Sequence, residues 1–127
     1  MADVVTVVDT GLAKVTDLLA AVTTVCPGWV GWGIGTTAPV VGNTALGTPS
    51  AEARTVGTKT QQTTTTTNDT YQVIALITAA SAQAITEVGV FDALTAGNLF
   101  LRATFLPINV SIGDTIEFTI KTKFEQL

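Results

Sequence analysis

Acid–base chemistry in this sequence could draw only on carboxylates, chiefly Glu87, Asp92, Asp114 and Glu117. A glycosidase needs two carboxyl groups that converge across a cleft, one of them in an apolar setting that raises its pKa. Nothing in the spacing of these four residues requires convergence. Glu87 and Asp92 lie within or beside one predicted hairpin, and Asp114 follows a glycine, as turn-forming residues do. We therefore expect no catalytic residues and predict that the protein is not an enzyme.

The sequence contains no histidine and one cysteine, Cys26. The absence of histidine removes the Ser-His and Cys-His pairs of nucleophilic catalysis and the commonest zinc ligand. A single cysteine cannot form an intrachain disulfide, and we interpret Cys26 as a free, buried thiol. A calcium site from Asp92, Asn98 and loop carbonyls would use suitable oxygens, but no loop signature supports it. We expect no metal and no cofactor.

The balance of charge argues against a nucleic-acid partner. Six Lys and Arg stand against ten Asp and Glu, which gives a net charge of −4. The basic residues are scattered, so no basic stripe could displace counterions from phosphates. The apolar stretch from Leu12 to Cys26 is interrupted by Lys14 and Asp17, which argues against an export signal. No run is long and apolar enough to span a bilayer, so we expect no membrane association.

The best-specified structural unit is a predicted β-hairpin. Its strands are Ile85–Asp92 and Asn98–Phe105, two apolar, β-rich runs joined by the turn-prone segment 93–97. Glu87 could pair with Arg102 on the neighbouring strand. The hairpin should contribute much of the core.

The segments around this hairpin also read as strands. Residues 52–67 are strand-like and contain a threonine run at 63–67. A strand of β-branched residues with one solvent-exposed face explains this run. A turn at Asn68-Asp69 leads into the strand Thr70–Thr78, and the two form a second hairpin. The last strand, Thr115–Phe124, alternates cleanly. Its apolar positions Ile116, Phe118 and Ile120 should face the core.

An N-terminal helix should precede the strands, capped by Asp9 or Thr10 and ended by Cys26-Pro27-Gly28. Its apolar face comprises Leu12, Val15, Leu18, Leu19 and Val22. Such a helix either covers an open part of the sheet or docks on another subunit.

Between the helix and the threonine-rich strand lie a glycine-containing strand and a long loop. In Trp29–Gly35 the glycines form one face, which would let another backbone or a large side chain come close. The pair Gly33 and Gly35 lacks the third glycine and the strand-to-helix context of a phosphate loop. Residues 35–50 form an irregular connection of the length that functional or contact loops have.

Together these elements predict a mainly β protein, a single-domain antiparallel β-sandwich or jelly roll with one N-terminal helix. The domain should comprise residues 1–127, with an N-terminal segment and helix in 1–26 and the sandwich in 29–127. Because the chain has 127 residues, it can bury a core without metal or disulfide.

Four segments together resemble a family of small bacteriophage virion structural proteins, variously described as head decoration or tail-fibre proteins. The segments are 33–39 (GIGTTAP), 85–93 (ITEVGVFDA), 97–105 (GNLFLRATF) and 108–116 (INVSIGDTI). The string at 85–92 is fairly specific, and the glycine-threonine segment is weaker alone. The resemblance implies a virion component and leaves open which one.

Physical arguments favour a capsid decoration, or cement, protein on the outer surface of the capsid. Fibre shafts usually need repeats or heptads, which this sequence lacks. The expected partners are the major capsid protein and further copies of the chain in a symmetric dimer or trimer. The alternative is a tail-fibre or receptor-binding adhesin, and a carbohydrate-active enzyme is more distant. The helix, the long loop and the N-terminal residues are the candidate contact surfaces, in particular Leu12, Val15, Leu19, Trp29, Thr36, Thr37, Pro39 and Val41.

Overall fold

The structure, a computed structural model, describes residues 4–126. It is a β-sandwich of two antiparallel sheets with one helix, which confirms the predicted fold class. Sheet A has the strand order β1-β7-β6-β2-β3, and sheet B has the order β4-β5-β8. The elements in chain order are β1 (Val4–Val7), α1 (Asp9–Leu19), β2 (Trp29–Gly33), β3 (Thr55–Val56), β4 (Thr58–Gln62), β5 (Thr70–Thr78), β6 (Gln83–Phe91), β7 (Leu99–Val110) and β8 (Thr115–Lys123).

The main core lies between the inner faces of the two sheets. Trp32 of sheet A meets Phe118 of sheet B edge to face, with ring centroids 6.4 Å apart. Burial of each large apolar side chain of this kind contributes on the order of 1.5–3 kcal/mol. The buried members include Val30, Trp32, Ile85, Val88, Val90, Phe100 and Leu101 from sheet A, and Val73, Ala75 and Ile77 from sheet B.

Both predicted hairpins are present. The first is β6–β7, which is longer than predicted because β6 begins at Gln83 and β7 continues to Val110. The second is β4–β5. The prediction of strand for the threonine run 63–67 was wrong, since β4 ends at Gln62. The run is the hairpin loop, where the Asp69 carboxylate accepts hydrogen bonds from the backbone N–H groups of residues 64–66.

The helix differs from the prediction in its length and its cap. α1 begins at Asp9 and ends at Leu19, and no side chain caps its first turn. The hydroxyl of Thr10 instead donates to the Leu99 carbonyl at 2.6 Å. Within the helix, Gly11 and Lys14 are buried, whereas Leu12 and Leu19 are 58% and 82% exposed.

The close approach of α1 to the sheet explains why a glycine faces it. A Cβ on Gly11 would lie 2.1 Å from the Phe100 carbonyl oxygen, so only glycine allows this spacing. The segment before α1 is also part of the sandwich, because β1 pairs antiparallel with the edge of β7. No helix within residues 4–126 is long and apolar enough to cross a membrane.

The glycine face of β2 allows the predicted close approach. A Cβ on Gly33 would lie 2.4 Å from the Thr48 carbonyl oxygen, and one on Gly31 would lie 3.2 Å from the Arg54 side chain. The long loop after β2 therefore packs directly against this strand, with Ile34 N–H donating to the Thr48 carbonyl at 2.9 Å.

Candidate functional site

The long loop after β2 is fixed by one buried carboxylate, Glu87, whose side chain is fully buried. Its two oxygens accept hydrogen bonds from the backbone N–H groups of Gly35 at 2.7 Å, Gly47 at 2.7 Å and Thr48 at 2.8 Å. Both ends of the loop are thereby tied to the same strand, β6. These charge-assisted hydrogen bonds satisfy three backbone N–H groups of the loop and fix its two ends.

Arg102 balances the charge of Glu87. Its Nε donates to Glu87 Oε1 at 2.9 Å, which confirms the predicted ion pair between β6 and β7. Its Nη1 reaches into the loop and donates to Asn43 Oδ1 at 3.2 Å. Desolvation alone would raise the pKa of Glu87, but the hydrogen bonds from Thr48, Gly47, Arg102 and Gly35 lower it below its usual value. Glu87 is therefore held as a buried anion that organises the loop.

The fixed loop presents part of the predicted contact surface. Thr36, Thr37 and Val41 are exposed, whereas Pro39 is buried and is not available for a contact. The loop also touches the start of α1, because Asp9 N–H donates to the Val41 carbonyl at 2.8 Å. The loop and the first turn of the helix are therefore neighbours on one side of the molecule.

The exposed side of α1 supplies the other predicted contacts. Leu12 is 58% exposed in the turn beside Val41, which is 59% exposed, and Leu19 stands out at the far end of the helix. Val15 and Trp29 are half-buried. Val15 packs against the main core, and Trp29 packs against a second, smaller cluster of buried side chains, Val8, Leu46, Phe91 and Leu99, so both residues are mainly structural. Residues 1–3, also expected to make contacts, lie outside the described residues. We use the term outer apolar surface for Leu12, Leu19, Val40 and Val41.

An ion pair that the sequence did not predict joins α1 to the β6–β7 hairpin. Lys14 Nζ lies 2.8 Å from Asp92 Oδ2, and both side chains are largely buried. Asp92 also accepts hydrogen bonds from the backbone and side chain of Asn98. Burial alone would raise the pKa of Asp92, but its bonds with Lys14 and Asn98 lower it. Lys14 lies off the apolar face of the helix, so periodicity alone does not indicate its burial, and the contact spans 78 residues of sequence.

The loop of the β6–β7 hairpin is held on its other side by Arg54. Its Nη1 donates to the carbonyls of Ala93 at 2.9 Å and Ala96 at 2.7 Å, and its guanidinium lies 3.4 Å above the centre of the Phe91 ring. Asp92, which the calcium site considered above would use, is paired with Lys14 and Asn98 in this structure. No group of three His, Cys, Asp or Glu residues within 4–126 could hold a metal ion.

The remaining predicted carboxylates occupy separate places. Asp114 accepts a hydrogen bond from Ser111 N–H at 2.8 Å, which confirms its role in the turn before β8. Glu117 is exposed on β8. Glu52, which the sequence did not single out, accepts from Trp32 Nε1 and Ala80 N–H and connects the loop to sheet A. Each carboxylate therefore serves a different local structure.

An apolar cavity of about 230 Å³ lies behind the end of α1. Leu18, Leu19, Cys26, Tyr71 and Phe124 are among its lining residues. Cys26 is a free thiol, as expected, but it is half-buried. The Tyr71 hydroxyl donates to the Pro27 carbonyl, and burial together with the neighbouring Cys26 raises its pKa.

Comparison of the chain with models of known protein families, with curated proteins and with solved structures finds no match.

Proposed function

We propose that this chain is a bacteriophage virion structural protein, a decoration or cement protein that binds the assembled capsid from outside. The observation that carries the proposal is the outer apolar surface, in which the first turn of α1, with Leu12 exposed, lies beside a loop fixed by buried hydrogen bonds. The resemblance of segments 33–39, 85–93, 97–105 and 108–116 to phage virion proteins gives the class of partner.

The rigidity of the loop suits it to a binding role. An interface formed by pre-organised segments loses less conformational entropy on association than one formed by mobile segments. Here the loop is already ordered by Glu87 and Arg102, which reduces the backbone ordering cost of presenting Val40 and Val41. Exposed aliphatic side chains grouped in this way are characteristic of protein–protein contacts.

A cement protein would act by linkage. A component that binds the closed shell and not its loose subunits stabilises the shell in proportion to its occupancy and affinity. Several copies, each with a small apolar contact, would together raise the temperature at which the particle opens. No chemical step is required of the chain.

The test is a thermal challenge of particles with and without the protein. Particles that lack it should release DNA at a lower temperature, and adding back purified protein should restore the original temperature. Equal DNA retention with and without the protein would contradict the proposal.

Surface variants locate the contact. Leu12→Lys and Val41→Lys each place a charge in the outer apolar surface and should abolish rebinding to particles. Ile112→Lys is the matched control, because Ile112 is 76% exposed in the turn between β7 and β8, away from α1. Equal rebinding by all three variants would show that the contact lies elsewhere.

The copy number separates the cement protein from the tail-fibre or receptor-binding adhesin. A cement protein approaches the number of capsid subunits, and a fibre protein is present in a few copies per particle. Quantitative gel densitometry of purified particles measures this ratio directly. A few copies per particle would overturn the cement proposal in favour of the adhesin.

A further inference from the structure

Strand β8 lies at the edge of sheet B. Its nine residues pair with β5 on one side over the whole length, from Thr115 opposite Thr78 to Lys123 opposite Thr70. Within residues 4–126, no strand pairs with its other side. An edge strand of this length offers a row of backbone donors and acceptors to another strand.

The hydrogen bonds to β5 show which residues face the open side. Phe124 N–H donates to the Asp69 carbonyl, and Ala79 N–H donates to the Asp114 carbonyl, both in register with the β5–β8 ladder. Even-numbered residues of β8 therefore direct their backbone groups toward β5. In an antiparallel ladder these directions alternate, so the odd-numbered residues direct theirs toward the open edge.

The odd-numbered residues also carry exposed side chains that complement one another. They are Thr115, Glu117, Thr119, Lys121 and Lys123, and all five are exposed. Glu117 and Lys121 are equally distant from Thr119 along the strand. If a second β8 runs antiparallel with Thr119 opposite Thr119, each Glu117 lies opposite the other copy's Lys121, and all nine strand residues have a partner.

The inner side of β8 gives a second reason to expect a covering strand. A groove of about 440 Å³ runs between β8 and the β1–β7 edge of sheet A. Ile116, Phe118 and Ile120 are only half-buried along it, and Leu106 and Ile108 on its other wall are 54% and 42% exposed. A two-fold axis perpendicular to the sheet keeps the inner faces on the same side, so the second copy's Phe118 and Ile120 would extend the apolar stripe over this groove.

We propose that β8 is a self-association edge, at which two copies of the chain form a symmetric dimer through antiparallel β8–β8 pairing centred on Thr119. Sheet B thereby becomes a continuous sheet of six strands, in the order β4-β5-β8-β8-β5-β4. Lysine on an edge strand ordinarily opposes pairing. In this register Glu117 of each copy lies opposite Lys121 of the other copy, so the charges attract. The dimer requires no capsid, so its failure would leave the proposed function standing.

The register makes a charge-reversal experiment decisive. Glu117→Lys and Lys121→Glu each create two like-charged pairs per dimer and should weaken the dimerisation constant by at least about tenfold in sedimentation equilibrium. The double variant Glu117→Lys/Lys121→Glu restores opposite charges and should recover the constant of the unchanged protein. Far-UV circular dichroism checks that each variant is folded.

Lys123→Glu is the matched control, because it changes the net charge by the same amount as Lys121→Glu. In the proposed register Lys123 lies opposite Thr115, so this variant should weaken dimerisation by less than about threefold. A shift of the two-fold axis from Thr119 to Ile120 would place Lys123 opposite Glu117. A larger loss with Lys123→Glu than with Lys121→Glu would therefore overturn the register.

Thr119→Pro tests the backbone pairing directly. It removes the central N–H, which faces the open edge and has no partner in β5, so the fold should tolerate it. Dimerisation should be abolished. A monomer for the unchanged protein at hundreds of micromolar, or a dimer unaffected by both Thr119→Pro and Lys121→Glu, would overturn the proposal.

Discussion

At the residue scale, the protein depends most on the buried pair of Glu87 and Arg102. The pair joins two neighbouring strands and, through three backbone N–H groups, fixes the loop that contributes to the outer apolar surface. A buried ion pair is not itself strong support for stability, but removal of one member leaves the other charge buried and uncompensated. The same residues therefore govern both stability and the shape of the contact surface.

Glu87→Gln should lower the free energy of unfolding by about 3–5 kcal/mol, because it leaves Arg102 unpaired and turns an amide N–H₂ toward N–H donors. Urea denaturation followed by circular dichroism measures the change. Glu125→Gln is the control, since Glu125 is exposed beyond the end of β8 and the loss of its surface pair with Lys123 should change stability by less than about 1 kcal/mol. Equal stability of Glu87→Gln and the unchanged protein would contradict the role given to this carboxylate.

The sequence predicted the Glu87–Arg102 pair and missed what the pair does. The pairing follows from two charges on neighbouring strands of a hairpin, which is a local pattern. The three backbone donors come from a loop about 40 and 52 residues earlier, and an irregular loop has no periodicity from which its path could be derived. Long-range partners of this kind emerge only from the folded chain.

At the scale of elements, the attachment of α1 to the sheet decides which helix face remains exposed. The apolar periodicity marks Leu12, Val15, Leu18, Leu19 and Val22 as the apolar face, which either covers the sheet or docks on another subunit. The structure turns Gly11 toward the Phe100 carbonyl and Lys14 toward Asp92, which leaves Leu12 and Leu19 outside. Periodicity gives the stripe that is apolar, and it does not distinguish a stripe buried in the chain from one available to a partner.

Gly11→Ala should destabilise the protein by about 1–3 kcal/mol, because the added methyl group would overlap the Phe100 carbonyl and push α1 from β7. The effect runs opposite to the gain of about 0.5–1 kcal/mol that alanine normally brings to a helix. Gly42→Ala is the matched control, since no atom lies within 4 Å of its added Cβ. A stabilised Gly11→Ala variant would show that the helix does not pack this closely.

A double-mutant cycle measures the contact between Lys14 and Asp92. Lys14→Met keeps the length of the side chain but removes its charge, and should cost about 2 kcal/mol because Asp92 stays largely buried. Lys14→Met combined with Asp92→Asn should cost less than the sum of the two single variants, with a coupling energy of about 0.5–3 kcal/mol. Additive losses would mean that the two charges do not interact.

The threonine run shows a second limit of sequence patterns at this scale. Five consecutive β-branched residues favour a strand locally, yet residues 63–67 form a loop. Asp69 supplies the reason, since its carboxylate accepts from three successive N–H groups that a strand would have directed to a neighbour. A single capping carboxylate can thus override the propensity of a whole segment.

At the scale of the whole molecule, the two sheets pack through a shared core, and β8 remains an unpaired edge strand of sheet B among the described residues. The long strands and the two hairpins were predictable because alternation and turn residues indicate them. The division into sheets of five and three strands was not, since it depends on β1 and β3, which have four and two residues. That unequal division leaves the half-buried apolar face of β8 beside a groove.

The response of the whole domain to acid follows from carboxylates whose pKa values are lowered by folding, namely Glu52, Asp69, Glu87 and Asp92. A carboxyl group with a pKa below its unfolded value of about 4.3 stabilises the fold above that pH. The contribution is lost as the pH falls through the folded pKa. Thermal stability should therefore stay level from neutral pH to about pH 5 and fall steeply below about pH 4.

The variant Glu87→Gln separates this carboxylate from the others. Because the unchanged protein loses the contribution of Glu87 in acid and the variant never has it, their difference in unfolding free energy should shrink between pH 7 and pH 3. A difference for Glu87→Gln that stays constant down to pH 3 would mean that Glu87 keeps the same pKa in both states. The buried hydrogen bonds from Gly35, Gly47, Thr48 and Arg102 make that outcome incompatible with the structure.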